Sequence, residues 1–408
     1  MEVLHPRCAG LDVHKDSVVS CIRIQQGPEA VHKVATFGTT TQALLKLSDW
    51  LSEHEVTHVA MEATGVYWKP VWHVMDGTFE LVLANAMHIK NVPGRKTDVN
   101  DATWIADLLA HGLIRSSFVP PTGIQDMRTL MRTRKQLVRE RVGHVQRIQK
   151  TLEDANLKIA SAVSDITGTS GRAILQALID GKTKPEELLA ATTGRLHAAP
   201  STLLEALRGR IRPPHRFLLK LHLGQIDALE QSIADIDKEV GALLEPFRAK
   251  AKRLMTIPGI SELTAQVLVS EIGVDMSRFP TAGHLISWAG LCPRNDESAG
   301  KRRSTRLRHG ASWLKTTLVQ AAWCAARCKQ GYLPAQFRRI KARRGPKKAV
   351  IAVAASLLTA AYYILRDDVD YRDLGGDYFD RNDRKKAASR LVKRLSDLGF
   401  TVEIKDAA

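Results

Sequence analysis

Apolar and polar positions along the first forty residues follow the two-residue period of strands. Residues 8–13 (CAGLDV) and 18–24 (VVSCIRI) predict strands joined by the polar turn HKDS, and residues 30–37 predict a weaker third. The three form an antiparallel meander. The period then changes. Thr41–Glu53 has helical spacing, with Leu44, Leu45, Leu47, Trp50 and Leu51 apolar. His58–Glu62 (HVAME) predicts a short strand, followed by an ATG turn and a helix near 67–75. Glu80–Ala84 predicts another strand. Residues 98–110 predict a helix with Ile105, Leu108 and Leu109 on its apolar face. Pro120, Pro121 and Gly123 punctuate the end of this region.

Beyond it the pattern is helical. Residues 124–157 and 217–247 are long and poor in helix breakers. The second carries Leu221, Ile226, Leu229, Ile233, Ile236 and Val240 at helical spacing. The two predict an antiparallel coiled-coil arm suited to dimer contacts. Small helices are expected over 160–216, with GTSGR and RPPH marking turns. LMTIPGISELTAQVLVSEIG predicts a helix, a Pro258-Gly259 hairpin and a second helix capped by Ser261. That is a helix-hairpin-helix, whose backbone N–H groups around Gly259 and Ser261 can hold a phosphate. An ordinary αα-corner gives the same pattern. Residues 349–365 form an apolar run of membrane-like composition, but its alanines, Ser356 and Thr359 favour a buried core helix.

Three strands followed by alternating helix and strand imply an α/β layer architecture with a mixed sheet, the ribonuclease-H-like topology. Four regions result: an α/β domain over 1–121, a helical coiled-coil arm over 122–250 with its insert at 160–216, a mostly α domain over 251–365, and an appendage over 366–408.

Composition adds a partner. The 408 residues include 60 Lys and Arg against 43 Asp and Glu, a formal net charge of +17. A soluble chain with that excess usually meets a polyanion, nucleic acid first. The excess is local. Residues 1–62 have a net charge of −3, residues 128–150 hold eight Lys/Arg and one acid, and residues 301–348 hold fifteen Lys/Arg and no acid. Five scattered cysteines without a CxxC pair fit a reducing cytosol and no disulfide frame. Cys324 and Cys328 read as core thiols. The N-terminus lacks a signal-peptide apolar run, so a cytoplasmic location without membrane attachment is expected.

Four acids stand out. Asp12 ends the first strand, Glu62 ends HVAME, and Asp98 and Asp101 begin a helix on one face. In a ribonuclease-H-like sheet these positions converge. Four carboxylates at close range need a counter-charge, and two divalent cations would balance them. Mg²⁺ suits an all-oxygen shell, and two ions are the usual arrangement for phosphodiester displacement. Taken singly, Asp12 is also a turn residue, Glu62 an exposed strand end, and Asp98 an N-cap with Asp101 favouring the helix dipole. His14 is either a neighbour of the metal or a turn residue.

GLDVHK (10–15), MEATGVYWKP (61–70) and NVPGRKTDVNDA (91–102) resemble the N-terminal motifs of the DEDD insertion-sequence transposases. These are the RuvC-like, bridge-RNA-guided serine recombinases of the insertion-sequence one-ten class. TIPGISELTAQVLVSEIG and FPTAGHLISWAGLCPRNDESAGKRRS resemble the second domain of the same family, and the insert and tail suggest its longer subgroup. The resemblance implies that Asp12, Glu62, Asp98 and Asp101 are metal ligands for Mg²⁺, with Mn²⁺ as an alternative. It implies a nucleophilic serine, matched here by Ser298 in NDESAGK, which by itself reads as a loop serine; Ser304, Thr305 and Ser312 lie close enough to be confused with it. Arg294, Lys301, Arg302 and Arg303 flank it and can clamp a phosphate, with Arg306 and Arg308 close by. Gly300 gives the loop freedom for close approach. The resemblance further implies donor and target DNA as substrates, a bridge-type non-coding RNA as partner, and a dimer that becomes a tetramer in synapsis.

Two other readings remain. A hydrolytic, metal-dependent junction nuclease of the RuvC type needs the four acids and no serine. A non-catalytic nucleic-acid-binding scaffold needs neither. Among the aromatics, Tyr67 and Trp68 are placed to stack on a base. Trp288 and Trp313 read as core.

Overall fold

The computed structural model describes residues 2–63, 65–85, 89, 101–163, 165–192, 199–294, 296–304, 306–308, 310–382 and 384–402. The chain divides into two units, residues 1–119 and 120–408.

In the first unit the alternating segments form a five-stranded mixed sheet. Strands β1 (Arg7–Val13), β2 (Ser17–Gln26) and β3 (Glu29–Gly38) make the meander. Helix α1 (Thr41–Glu53) leads to β4 (His58–Glu62), α2 (Trp68–Met75), β5 (Glu80–Ala84) and α3 (Asp101–Ala110). The strand order is β3-β2-β1-β4-β5, so β1 is central. β1 pairs antiparallel with β2 and parallel with β4, and β4 pairs parallel with β5. The third strand, expected to be weak, is a full ten residues long. It is an edge strand, largely exposed, so its apolar signal is thin.

Each face of the sheet is covered. Leu11, Val13, Ile22, Val59 and Met61 pack against Leu44, Leu47 and Leu51 of α1 and Val71 and Met75 of α2. On the other face, Cys8 and Ala60 pack against Ile105, Leu108 and Leu109 of α3. The approach of α3 is set by Gly10. A Cβ there would stand 2.2 Å from the Ala102 carbonyl oxygen and 2.4 Å from the Ala106 nitrogen. Only glycine lets the helix backbone rest on the strand.

The second unit begins with α4 (Thr122–Asp154), and α5 (Ile159–Ala162), α6 (Thr169–Ile179), α7 (Pro185–Ala190) and α8 (Pro200–Ala206) follow. α9 (Pro213–Leu243) then returns along α4. Ion pairs fix the antiparallel register: Arg134 to Asp237 and Arg141 to Glu230. At the far end Ile148, Leu152, Ile174, Leu178, Leu219 and Leu223 close a small helical core. Two segments expected as turns are helix starts. Pro213 and Pro214 open α9, because proline at the first helical positions forfeits no hydrogen bond. GTSGR begins α6, whose Gly171 lies against the Ile166 backbone.

The remaining elements are α10 (Arg248–Leu254), α11 (Glu262–Ile272), α12 (Ala282–Trp288), the hairpin β6 (Asp296–Ser298) and β7 (Lys301–Ser304), α13 (Ser312–Ala326), α14 (Tyr332–Arg344) and α15 (Pro346–Asp367). Short α16 (Tyr378–Arg381) and α17 (Arg384–Asp397) end the chain. α15 is long and apolar enough to cross a membrane, yet Val350, Val353, Leu357, Leu358 and Leu365 are buried within this domain. Its Tyr362 hydroxyl donates to the Phe279 carbonyl at 3.0 Å. The core-thiol reading fails for Cys324, which is exposed; the fully buried thiols are Cys8 and Cys21. Burial pushes the Cys8 thiol up to about 12.

Candidate active site and nucleic-acid surface

The parallel register places Leu11 opposite Met61, so Asp12 and Glu62 follow side by side at the ends of two neighbouring strands. Alternation puts both on the face of Cys8, Gly10 and Ala60, which is the face that carries α3. Because Ala102 rests on Gly10, Asp101 enters above the same strand end. Sheet and helix thus bring Asp12, Glu62 and Asp101 to one edge. The fourth acid, Asp98, lies outside the described residues. Among the described residues, no three His, Cys, Asp or Glu side chains already form a cation cage. The donors are nonetheless all carboxylate oxygens, which fits a hard divalent cation. His14 Nε2 lies 3.0 Å from Asp12 Oδ2, so His14 contacts the acid as well as closing the turn.

A network centred on the buried Arg23 escaped sequence reading. Arg23 on β2 donates through Nε to Asp107 Oδ1 of α3 at 3.0 Å, and its side chain is 5% exposed. His32, paired with Arg23 across the β2–β3 ladder, reaches the same oxygen at 3.0 Å. The Cys8 thiol donates to the Ala106 carbonyl. These bonds hold α3, and with it Asp101, against sliding. The signal was an arginine among apolar strand positions, which requires a buried partner.

Near Glu62, Tyr67 is exposed, whereas Trp68 packs into the core and meets Trp72 edge-on at 5.9 Å. Tyr67 is therefore better placed than the partly buried Trp68 to stack on a base.

In the second unit Ser298 is the last residue of β6, opposite Lys301 of β7. It sits in a strand at a hairpin tip, not in an irregular loop. The two turn residues, Ala299 and Gly300, have φ of 49° and 72°. Such a two-residue turn matches strand twist, and an alanine in it costs on the order of 1 kcal/mol. Arg294, Lys301, Arg303, Arg306 and Arg308 are exposed around the hairpin. The backbone of Arg294 donates to the Arg306 carbonyl, and Arg308 reaches Ser287 Oγ. Arg302 lies on β7 opposite Glu297.

Gly259 and Ser261 have visible structural duties. Gly259 has φ 90°, and a Cβ there would be 2.5 Å from the Ala321 carbonyl oxygen. Ser261 Oγ accepts from the Thr264 N–H, capping α11.

Much of the basic stretch 128–150 is engaged by partners within the chain. Glu271, 2% exposed, takes a bidentate pair from Arg132 at 2.8 Å. Arg128 donates to the Ser270 and Glu271 carbonyls, and burial draws its guanidinium down to about 10. Trp313, read as core, is instead ringed by Arg132, Lys135 and Arg139 at 5.2–5.8 Å from its centroid. Burial lowers the Lys135 ammonium, with Arg139 adding to the effect. The stretch 301–348 keeps most of its cations exposed, including Lys341, Arg343, Arg344, Lys347 and Lys348.

Comparison with known proteins matches these two regions. A DEDD transposase model of the IS110 class matches residues 9–157, and the model of the Transposase IS116/IS110/IS902 family matches residues 251–338. The transposase for insertion sequence element IS1111A of Coxiella burnetii is 24% identical over 321 residues, 77% of this chain and 79% of its own length. The transposase for insertion sequence element IS1328 of Yersinia enterocolitica is 26% identical over 68% of this chain and 73% of its own. The pilin gene-inverting protein of Moraxella bovis is 30% identical over 143 residues; the match spans 34% of this chain and 44% of that protein.

Proposed function

We propose, from the premise that the chain belongs to the DEDD insertion-sequence transposases of the IS110 class, that it cuts and rejoins DNA through Ser298 with the help of its carboxylate site. The observation that carries this reading is the convergence of Asp12 and Glu62 in adjacent register positions beneath the start of α3. The strand order around central β1 supports a ribonuclease-H-like domain. The antiparallel α4 and α9 support a coiled-coil arm, and α10, Gly259 and α11 support a helix-hairpin-helix.

Asp12, Glu62, Asp98 and Asp101 would hold the metal, Mg²⁺ by preference. Bound there, a divalent cation supplies charge neutralisation and polarises a phosphate oxygen. The chain's own groups do the rest. Exposed Arg294, Lys301, Arg303 and Arg306 hold the scissile phosphate near the hairpin tip. Ser298 Oγ attacks phosphorus, loses its proton, and expels a sugar hydroxyl, leaving a phosphoserine ester. Attack by a hydroxyl of the incoming strand reverses the step and restores serine. The bond energy is kept in the ester, so rejoining needs no ATP. Donor and target DNA are the substrates, a bridge-type RNA selects them by base pairing, and the working form is a dimer that becomes a tetramer in synapsis.

A covalent-adduct assay tests this. The full chain is purified with its flanking nucleic acid, given Mg²⁺ and labelled DNA, and denatured in detergent. Labelled protein is expected from the wild type and from neither Ser298→Ala nor Asp12→Asn. Cleavage without adduct, unchanged by Ser298→Ala, would leave a hydrolytic nuclease.

A further inference from the structure

One face of α14 is built as a shallow trough. Ala335, Arg338, Arg339, Ala342 and Arg343 recur at helical spacing, so two alanines floor it and three arginines wall it. Gly376, Phe379 and Asp380 form the opposite bank, and the groove between has a volume of about 730 Å³. Along the helix the lining runs from Ala335 to Arg343, about 12 Å at 1.5 Å rise per residue.

The opposite bank is held in place. Asp373 accepts the Tyr332 N–H at 3.0 Å and the Gly375 N–H at 2.7 Å, and the Tyr371 N–H donates to Thr256 Oγ1. Phe379 is stacked on Tyr332 at 5.1 Å, with the Arg339 guanidinium 5.2 Å from its centroid. Phe379 is the one aromatic among the groove's lining residues and already contacts Tyr332 and Arg339, so the groove is poor in surface on which a base could stack. It offers guanidinium donors and an alanine floor, which suit a sugar–phosphate backbone rather than a nucleobase. Asp380, on the rim of the same groove, is an oxyanion of this chain's own acidic tail at the place a phosphate would take.

We propose that this groove between α14 and residues 376–380 binds the phosphate backbone of DNA, with Arg338 and Arg343 as the phosphate contacts and Asp380 as a built-in competitor. The inference rests on the DNA-acting reading above and adds a site remote in sequence from Ser298 and from the carboxylates. DNA is chosen over RNA because the proposed reaction makes and breaks DNA bonds in this domain.

The test is anisotropy titration of the full chain with labelled duplex DNA, and separately with structured RNA, across a range of salt concentrations. Arg338→Gln with Arg343→Gln should weaken DNA binding and flatten the plot of log affinity against log salt by about 0.9 for each contact removed. Asp380→Asn should tighten DNA binding. Thermal melting of each variant checks that it is folded. Wild-type affinity and slope in the double variant would overturn the groove, as would a loss confined to RNA. Failure of the wild type to bind DNA at all would instead overturn the functional reading beneath it.

Discussion

At the residue scale, the acid site depends on a side chain that is absent. Gly10 lets the α3 backbone touch β1, and the atoms a Cβ would meet are main-chain atoms that no rotamer change can move. Gly10→Ala should lift α3 from the sheet, costing about 1–3 kcal/mol as overpacking does. Asp101 would shift with it. Melting should therefore fall and cleavage should be lost, while DNA binding persists. An unchanged melt with full cleavage would show that α3 is not seated by this contact. The sequence displayed GLDVHK as a motif, but the reason for its glycine is the helix above it, ninety residues away. Asp12 and Glu62 were legible because each ends an apolar strand run. Arg23, Asp107 and His32 were not, because their partnership spans eighty-four residues and three elements.

At the element scale, the arm formed by α4 and α9 carries a histidine pair. His144 Nδ1 and His222 Nδ1 are 3.2 Å apart. Burial holds the His222 imidazole below its ordinary value near 6.5, and His144 and Arg147 push the same way. The unfolded chain thus binds the proton more readily than the folded arm. Stability is full above about pH 6.5 and declines as the pH falls through that value. Melting should drop between neutral and mildly acidic pH, and His222→Gln should flatten that dependence. Equal slopes in variant and wild type would dismiss the pair as its source. The two long helices were legible from apolar spacing. Their start and stop residues were less so, since Pro213 and Pro214 signal a turn in sequence and serve as the first turn of a helix in space.

At the scale of the molecule, the excess of positive charge has two fates. Arg134 and Arg141 face Asp237 and Glu230, and Arg128 and Arg132 converge on Glu271. Most cations of residues 301–348 stay exposed. Replacing Arg134 and Arg141 together by Gln should lower the melting temperature and leave the salt dependence of DNA binding unchanged. A flatter salt dependence would instead make the arm part of the DNA surface. The sequence by itself determined the order of strands and helices, the mixed sheet and the positions of three described acids, because local periodicity and strand ends are properties of neighbouring residues. It also carried the family, in two motif sets in order. Tertiary structure alone decided which cations are free to meet a phosphate and which are spent on the chain's own carboxylates. It alone placed Ser298 at a hairpin tip and set α3 on Gly10. Those outcomes depend on contacts between residues far apart in the chain, and a charge has the same letter whether its partner is a carboxylate or a nucleic acid.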